Sequence, residues 1–225
     1  MLKKTWFLAL FFLLTNAYAI QTHTKLWTAG VQTGPLSQDK KFRYYFEEDL
    51  RFEDDKYKFE QALLWVGVGY RIIPAVTFYV GDAPDVSRNL NGVYIHQNIV
   101  WQQISWYAYK GPAFQLDSRS RLEEIKRRGE SQWQVLLRQQ FLFRIPIERW
   151  PAHAILVSES LFFNLKHPAW VQNNSFISQN RAYIGIETTV SDVFSYSVGY
   201  MNQYIFKHPN QMANILVVAF NLHHY

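Results

Sequence analysis

Residues 41–53 read KFRYYFEEDLRFE, and their side chains divide by parity. Phe42, Tyr44, Phe46, Leu50 and Phe52 share one face, while Arg43, Tyr45, Glu47, Asp49 and Arg51 share the other. Successive strand residues point to opposite sides of a sheet, whereas a 3.6-residue period would scatter both sets, so the segment is a strand with one apolar and one ionic face. Glu48 falls on the apolar parity. Either a bulge shifts the register there or the alternation fails at one position.

The same alternation recurs along the chain. In 57–72, Leu64, Val66, Val68, Tyr70 and Ile72 oppose Gln61, Trp65, Gly67, Gly69 and Arg71. Further strands are expected at 75–82, 98–109, 118–127, 132–145, 152–165, 176–187, 194–206 and 214–225, with a weaker one at 22–31. Good helix formers crowd 122–128 and 132–144, but Trp133, Val135, Leu137, Phe141, Phe143 and Ile145 keep one parity against Gln134, Arg138, Gln140 and Arg144. Strand is the expectation there as well. Proline cannot donate to a ladder, and Pro35, Pro74, Pro84, Pro112, Pro151, Pro168 and Pro209 all fall between these segments, with Pro146 just past one. No repeat and no Gly/Ser- or Pro-rich linker divides the chain, which is expected to form one domain over 20–225.

Residues 1–19 have the three parts of a secretory signal peptide: Lys3 and Lys4, an apolar run from Trp6 to Leu14, and Ala17-Tyr18-Ala19 before Ile20. Cleavage is expected after Ala19. Beyond it the longest apolar run, from Ile215 to Phe220, is far short of the roughly 20 residues of a helical membrane span. The 225-residue chain is 48% hydrophobic and 17% aromatic, which excludes a disordered polymer. It has no cysteine, which removes thiolate nucleophiles, iron–sulfur clusters and cysteine zinc sites. The net charge of +5 falls to about +3 without Lys3 and Lys4, too little to suggest nucleic acid.

A soluble sandwich and a membrane barrel share this alternation and differ in what the apolar face meets. Strands of about 10 to 14 residues exceed those usual in soluble sheets and suit a tilted membrane crossing. Charges crowd the polar face at mid-strand: Arg43, Glu47, Asp49, Arg51, Arg71, Arg119, Arg121, Glu123, Arg138 and Arg181. A barrel lumen tolerates them. Aromatic residues recur near strand ends, as in Phe42 and Phe52, Tyr57 and Tyr70, Trp101 and Tyr109, and Phe194 and Tyr204, suggesting interfacial girdles. The expectation is an all-β, antiparallel transmembrane β-barrel of ten to twelve strands in the outer membrane of a double-membraned bacterium. Bacterial barrels usually have an even strand number, so 22–31 would lie outside the wall or one strand remains to be found. With the C-terminal end in the periplasm, the connections near 54–56, 82–97, 128–131, 166–174 and 207–213 would be external. Those near 73–74, 110–117, 146–151 and 188–192 would be periplasmic, and 82–97 would be the longest of all.

Landmarks along 27–225 carry a resemblance: Trp27, the YYFEEDLRF run ending at Phe52, GVGYRI at 67–72, Tyr79-Val80-Gly81, Trp101-Gln102-Gln103, Arg119-Ser120-Arg121-Leu122-Glu123, Gln179-Asn180-Arg181 and Gly199-Tyr200. In order and spacing they resemble the bacterial family called domain of unknown function 2490, presumed outer-membrane β-barrels. That resemblance implies an exported barrel and brings no activity with it. The final strand departs from a usual terminal assembly signal, since Asn221 and His223 share the parity of Tyr225 while Leu216, Val218, Phe220 and Leu222 hold the other.

The expected role is an outer-membrane structural protein or narrow solute pore, with outer-membrane lipid, lipopolysaccharide and the barrel-assembly machinery as partners. No cofactor, metal or catalytic constellation is expected. The alternatives are an outer-membrane enzyme acting on lipid or peptide, and a soluble periplasmic β-sandwich or lipocalin-like carrier. For an enzyme the nearest local set is His153, Ser158, Glu159 and Ser160, but His153 and Ser158 have opposite parities. Guanidinium groups on the inward parity could bind an anion, although in small barrels such charges more often brace the lumen. The Gly67-x-Gly69 pair suits close packing in a strand better than a phosphate loop.

Overall fold

A computed structural model describes residues 21–53, 58–89, 91–171, 173 and 175–224. The expected signal segment 1–19, Tyr57 and Tyr225 lie outside the described residues. Eleven strands follow one another: β1 Gln21–Pro35, β2 Phe42–Glu53, β3 Lys58–Ile73, β4 Val76–Arg88, β5 Tyr94–Lys110, β6 Gln115–Arg127, β7 Trp133–Pro146, β8 His153–Lys166, β9 Ile177–Thr189, β10 Phe194–Ile205 and β11 Gln211–His223. Each pairs antiparallel with the next, and the sheet closes where β1 runs parallel to β11, from Gln21 beside Gln211 to Thr33 beside His223.

The closure revises the expected even count. The segment 22–31 is neither outside the wall nor lacking a partner; it is the full-length β1, hydrogen-bonded on both sides. Antiparallel neighbours alternate direction, so an odd number leaves the first and last strands pointing the same way, and only a parallel ladder can join them. Following the ladders once around returns to β1 displaced by about 14 residues, which for eleven strands gives a tilt of about 40°.

The strand ends on either side of 54–57, 89–93, 128–132, 167–176 and 206–210 gather at one rim, called here the first, and those on either side of 36–41, 74–75, 111–114, 147–152 and 190–193 at the second. Ser37 shapes the 36–41 turn: its hydroxyl donates to Asp39 Oδ1 (2.5 Å) and the Lys41 amide donates to the same oxygen (3.1 Å). These two bonds hold the Asp39 carboxyl below its ordinary pKa. The segment 82–97, expected as the longest connection, is mostly strand, because β4 continues to Arg88 and β5 begins at Tyr94. The longest is instead 167–176.

Pro84 therefore lies inside β4 rather than between strands. It pairs with Asn98 on the β5 side, while the β3 ladder skips from Leu63–Asp85 to Val66–Asp82. The wall accommodates the missing N–H donor by leaving that short stretch open. Glu48 keeps its place in the ladders with Gly30 and Leu64, and the β2–β3 bulge falls later, at Arg51/Phe52. Its side chain accordingly faces outward, and the alternation itself fails at this residue.

Inside, two apolar clusters fill opposite flanks. One is built on Tyr45, Trp65, Tyr79, Trp101 and Ile125 from β2–β6. The other is built on Trp27, Leu156, Tyr183, Ile215 and Val217 from β1, β8, β9 and β11. Trp101, expected in an outer girdle, is completely buried at the centre of the first cluster. Glycines on adjacent strands make room for it: a Cβ at Gly67 or Gly81 would stand 2.6 Å from its Cζ2. Outward-facing aromatics nonetheless form two tiers. Phe52, Tyr94, Trp133, Phe163 and Tyr204 stand near the first rim, and Phe42, Tyr70, Trp106, Phe143 and Tyr196 near the second. At this tilt the tiers are roughly 25 Å apart along the axis.

Candidate functional site: the arginine-rich barrel interior

Strand parity sends all ten candidate ionic residues to the inward side. Arg43, Glu47, Arg121, Glu123 and Arg181 are buried, and Asp49, Arg51, Arg71, Arg119 and Arg138 are half-buried. The wall brings eight of them to mid-height. Arg43 and Arg71 stand nearer the second rim, and no ion pair joins either of them among the described residues.

Arg121, on β6, anchors the centre and is wholly enclosed. Its Nε donates to Gln103 Oε1 (2.7 Å), and its Nη2 donates to Tyr45 Oη (2.9 Å) and Glu47 Oε2 (2.9 Å). Tyr45 donates in turn to Glu47, and Arg119 Nη1 lies 3.5 Å from the same carboxylate oxygen. The guanidinium sits 4.2 Å from the Trp65 ring centroid and 5.0 Å from that of Trp101. A buried charge is costly unless paired and hydrogen-bonded; Arg121 has a carboxylate, two neutral acceptors and the ring faces of Trp65 and Trp101.

The opposite flank is less well matched. Arg138 of β7 lies directly across the ladder from Arg121, on the same face, and across from Phe162 on its other side. Arg138 and Arg181 both approach the Phe162 ring, at 5.1 and 4.6 Å, and Arg181 and Arg51 both approach Trp27, at 4.7 and 4.3 Å. Arg51 has Asp49 at 3.2 Å. Among the described residues neither Arg138 nor Arg181 has a carboxylate within ion-pair distance. Arg181 instead donates to the Gln179 amide oxygen, at 2.9 Å from Nη2, once that amide is oriented to satisfy both its ends.

At the first rim the chain after β8 buries Pro168 and packs Trp170 against the cluster on β2–β6. Trp170 Nε1 donates to the Gln132 carbonyl (3.2 Å), and the Arg127 guanidinium lies 5.9 Å from its ring. Further ion pairs brace the rims: Lys25 with Glu53 and Glu60, and Arg144 with Glu187. Sequence reasoning missed these and the interior aromatics. Parity carried the signal for the aromatics, since Trp65, Trp101 and Tyr45 share the side of the charges. Ser158 points inward, whereas His153 sits on the outward parity and meets Thr188 Oγ1 at 3.0 Å, so the two do not converge. No group of three potential metal ligands occurs among the described residues.

The molecule is thus a closed all-β barrel of eleven strands whose bore is occupied by aromatic and ionic side chains. The chain belongs to the family described as Protein of unknown function (DUF2490), whose pattern it matches over residues 24–214. It is 23% identical over 161 residues to an uncharacterised protein of Methylorubrum extorquens, covering 71% of this chain and 70% of that one. No solved structure matches it.

Proposed function

We propose that the chain is an outer-membrane β-barrel, exported after cleavage at Ala19, that serves as a membrane structural protein or a narrow solute pathway. One observation carries this reading: the outward parity of a closed barrel is a broad apolar surface. Val66, Val68, Ile184, Ile186 and Leu216 are each about half exposed, and Phe42, Ile72, Trp106, Val198 and Phe220 are exposed with them. Monomeric soluble proteins rarely leave more than a few hundred Å² of contiguous apolar surface in water. Two aromatic tiers roughly 25 Å apart match the height of a barrel's lipid-facing band.

Four cross-strand pairs of outward polar groups support the same reading, since a medium without water favours polar groups that satisfy one another. Asn98 Nδ2 donates to Asp82 (2.6 Å), Asn180 donates to Glu159, Gln139 Nε2 donates to Ser118 (3.0 Å) and Tyr200 donates to Asn214 (2.6 Å). Lipid and lipopolysaccharide are the corresponding partners of the outer face. The barrel-assembly machinery would receive β11, whose Leu216, Val218, Phe220 and Leu222 face out. With the C-terminal end in the periplasm, the first rim, where Trp170 packs, is external, and a bore packed with Trp65, Trp101 and Arg121 allows only a narrow path.

Envelope fractionation tests the assignment. The protein should resist salt and alkaline extraction, dissolve in detergent, and migrate faster on gels before boiling than after. Release by osmotic shock without detergent would overturn the reading. Planar-bilayer recording then separates scaffold from pore: a solute path gives small discrete steps that change when Trp170 is replaced by Gly.

A further inference from the structure

We infer that the interior holds a specific binding site for a small tetrahedral oxyanion of the phosphate type, formed by Arg121, Arg138 and Arg181. Five arginines, 51, 119, 121, 138 and 181, share this part of the bore with four carboxylates, Glu47, Asp49, Asp85 and Glu123. Glu47 is engaged by Arg119 and Arg121. Glu123 is buried among Arg119, Arg121, Arg138 and Arg181, yet none reaches ion-pair distance of it among the described residues. The cations therefore outnumber the carboxylates in an enclosed space, and Arg138 and Arg181 are left without a carboxylate partner among the described residues, an arrangement that is costly without a counter-charge.

Several of the buried unpartnered donors of the bore lie with that excess, others being Arg51 Nε, Arg71 Nε and three indole N–H groups. Arg121 and Arg138 face one another directly across the β6–β7 ladder, a placement in which like charges repel. Arg121 Nη1 is buried with no hydrogen-bond partner although the rest of that guanidinium is fully engaged, and Arg138 Nε and Arg119 Nε are buried and unpartnered too. Buried donors are nearly always satisfied, and forked guanidinium pairs bind tetrahedral oxyanions through several charge-assisted hydrogen bonds at once. Arg181, fixed between Trp27 and Phe162, supplies a third cation from β9. An oxyanion seated there would relieve the Arg121–Arg138 repulsion and neutralise the excess, with Phe162 as the floor that both Arg138 and Arg181 already touch. The inference rests on the bore alone and would stand even if the outer face met something other than lipid.

The test uses the full mature barrel purified in a non-ionic detergent and titrated calorimetrically with inorganic phosphate at constant ionic strength, chloride being the exchanged ion. One saturable site is expected, with sulfate competing. Arg138→Gln and Arg181→Gln should each weaken it at least tenfold, while Arg88→Gln at the exposed end of β4 should leave it unchanged. In phosphate-free buffer, Arg138→Gln should raise the melting temperature or leave it unaltered, because it removes a repelling neighbour of Arg121. A purely bracing arginine would behave in the opposite way. Absence of saturable phosphate or sulfate binding to the unsubstituted barrel, binding undiminished in Arg138→Gln, or a lowered phosphate-free melting temperature in that variant would each overturn the inference. Should Arg181→Gln fail to yield a heat-modifiable barrel, Arg138→Gln and the unsubstituted protein still decide it.

Discussion

Replacing Ile184 by Arg separates lipid from water as the medium outside the wall. Ile184 is exposed, stands near mid-height of β9, and is flanked across the ladders by Val157 and Tyr200. No interior contact is lost, so the cost reports the surroundings. An arginine at the midplane of a barrel's lipid face costs about 2–4 kcal/mol, which is roughly 30- to 700-fold in the folded-to-unfolded ratio. The same change on a water-exposed strand stays within about 0.5 kcal/mol. Reversible urea unfolding of the barrel in short-chain lipid vesicles measures the difference, and Tyr94→Arg, close to the first rim, should cost no more than about 1 kcal/mol because the penalty fades toward the interface. Equal small costs at both positions would refute the lipid assignment.

Arg121→Ala should destabilise the barrel by about 3–5 kcal/mol in the same titration, since it leaves Glu47 with Arg119 as its one cation within ion-pair distance among the described residues and takes a donor from each of Gln103 and Tyr45. Gly81→Ala places a Cβ 2.1 Å from the Val66 carbonyl oxygen and 2.6 Å from Trp101. A cost of at least 1–3 kcal/mol is expected, along with loss of near-ultraviolet dichroism from Trp101; an unperturbed spectrum would show that the close packing is wrong. Because β1 runs parallel to β11, Gln21 and His223 lie at opposite rims. Epitope tags appended at the mature N-terminus and at the C-terminus should therefore be accessible from opposite sides of intact cells, and two tags reached from the same side would contradict the parallel closure.

The strand positions were legible because side-chain parity is a local property with a period of two. The alternation in 41–53 and 132–145 needs no knowledge of neighbours, and it divided Arg43, Glu47 and Arg138 from Phe42, Phe46 and Phe141 correctly. Pro84 was misplaced because a proline is tolerated wherever one side of the ladder can open, and only the pairing of β3 with β4 reveals that opening. Trp101 was misassigned for a related reason. Its parity marked it as inward, but the space for an indole comes from Gly67 and Gly81 on two other strands.

Composition and periodicity by themselves determined an all-β chain with one apolar and one ionic face, because both properties are written residue by residue. The tertiary structure alone decided the closure: eleven strands, a parallel seam between β1 and β11, and the particular stagger that goes with them. That stagger sets which side chains meet across the bore. It gives Arg121 to Glu47 some 74 residues away in sequence, and it leaves Arg138 and Arg181 beside Phe162 without a carboxylate. Encounters across the bore depend on the register of every intervening ladder, and a one-residue slip in any of them would reassign the partners.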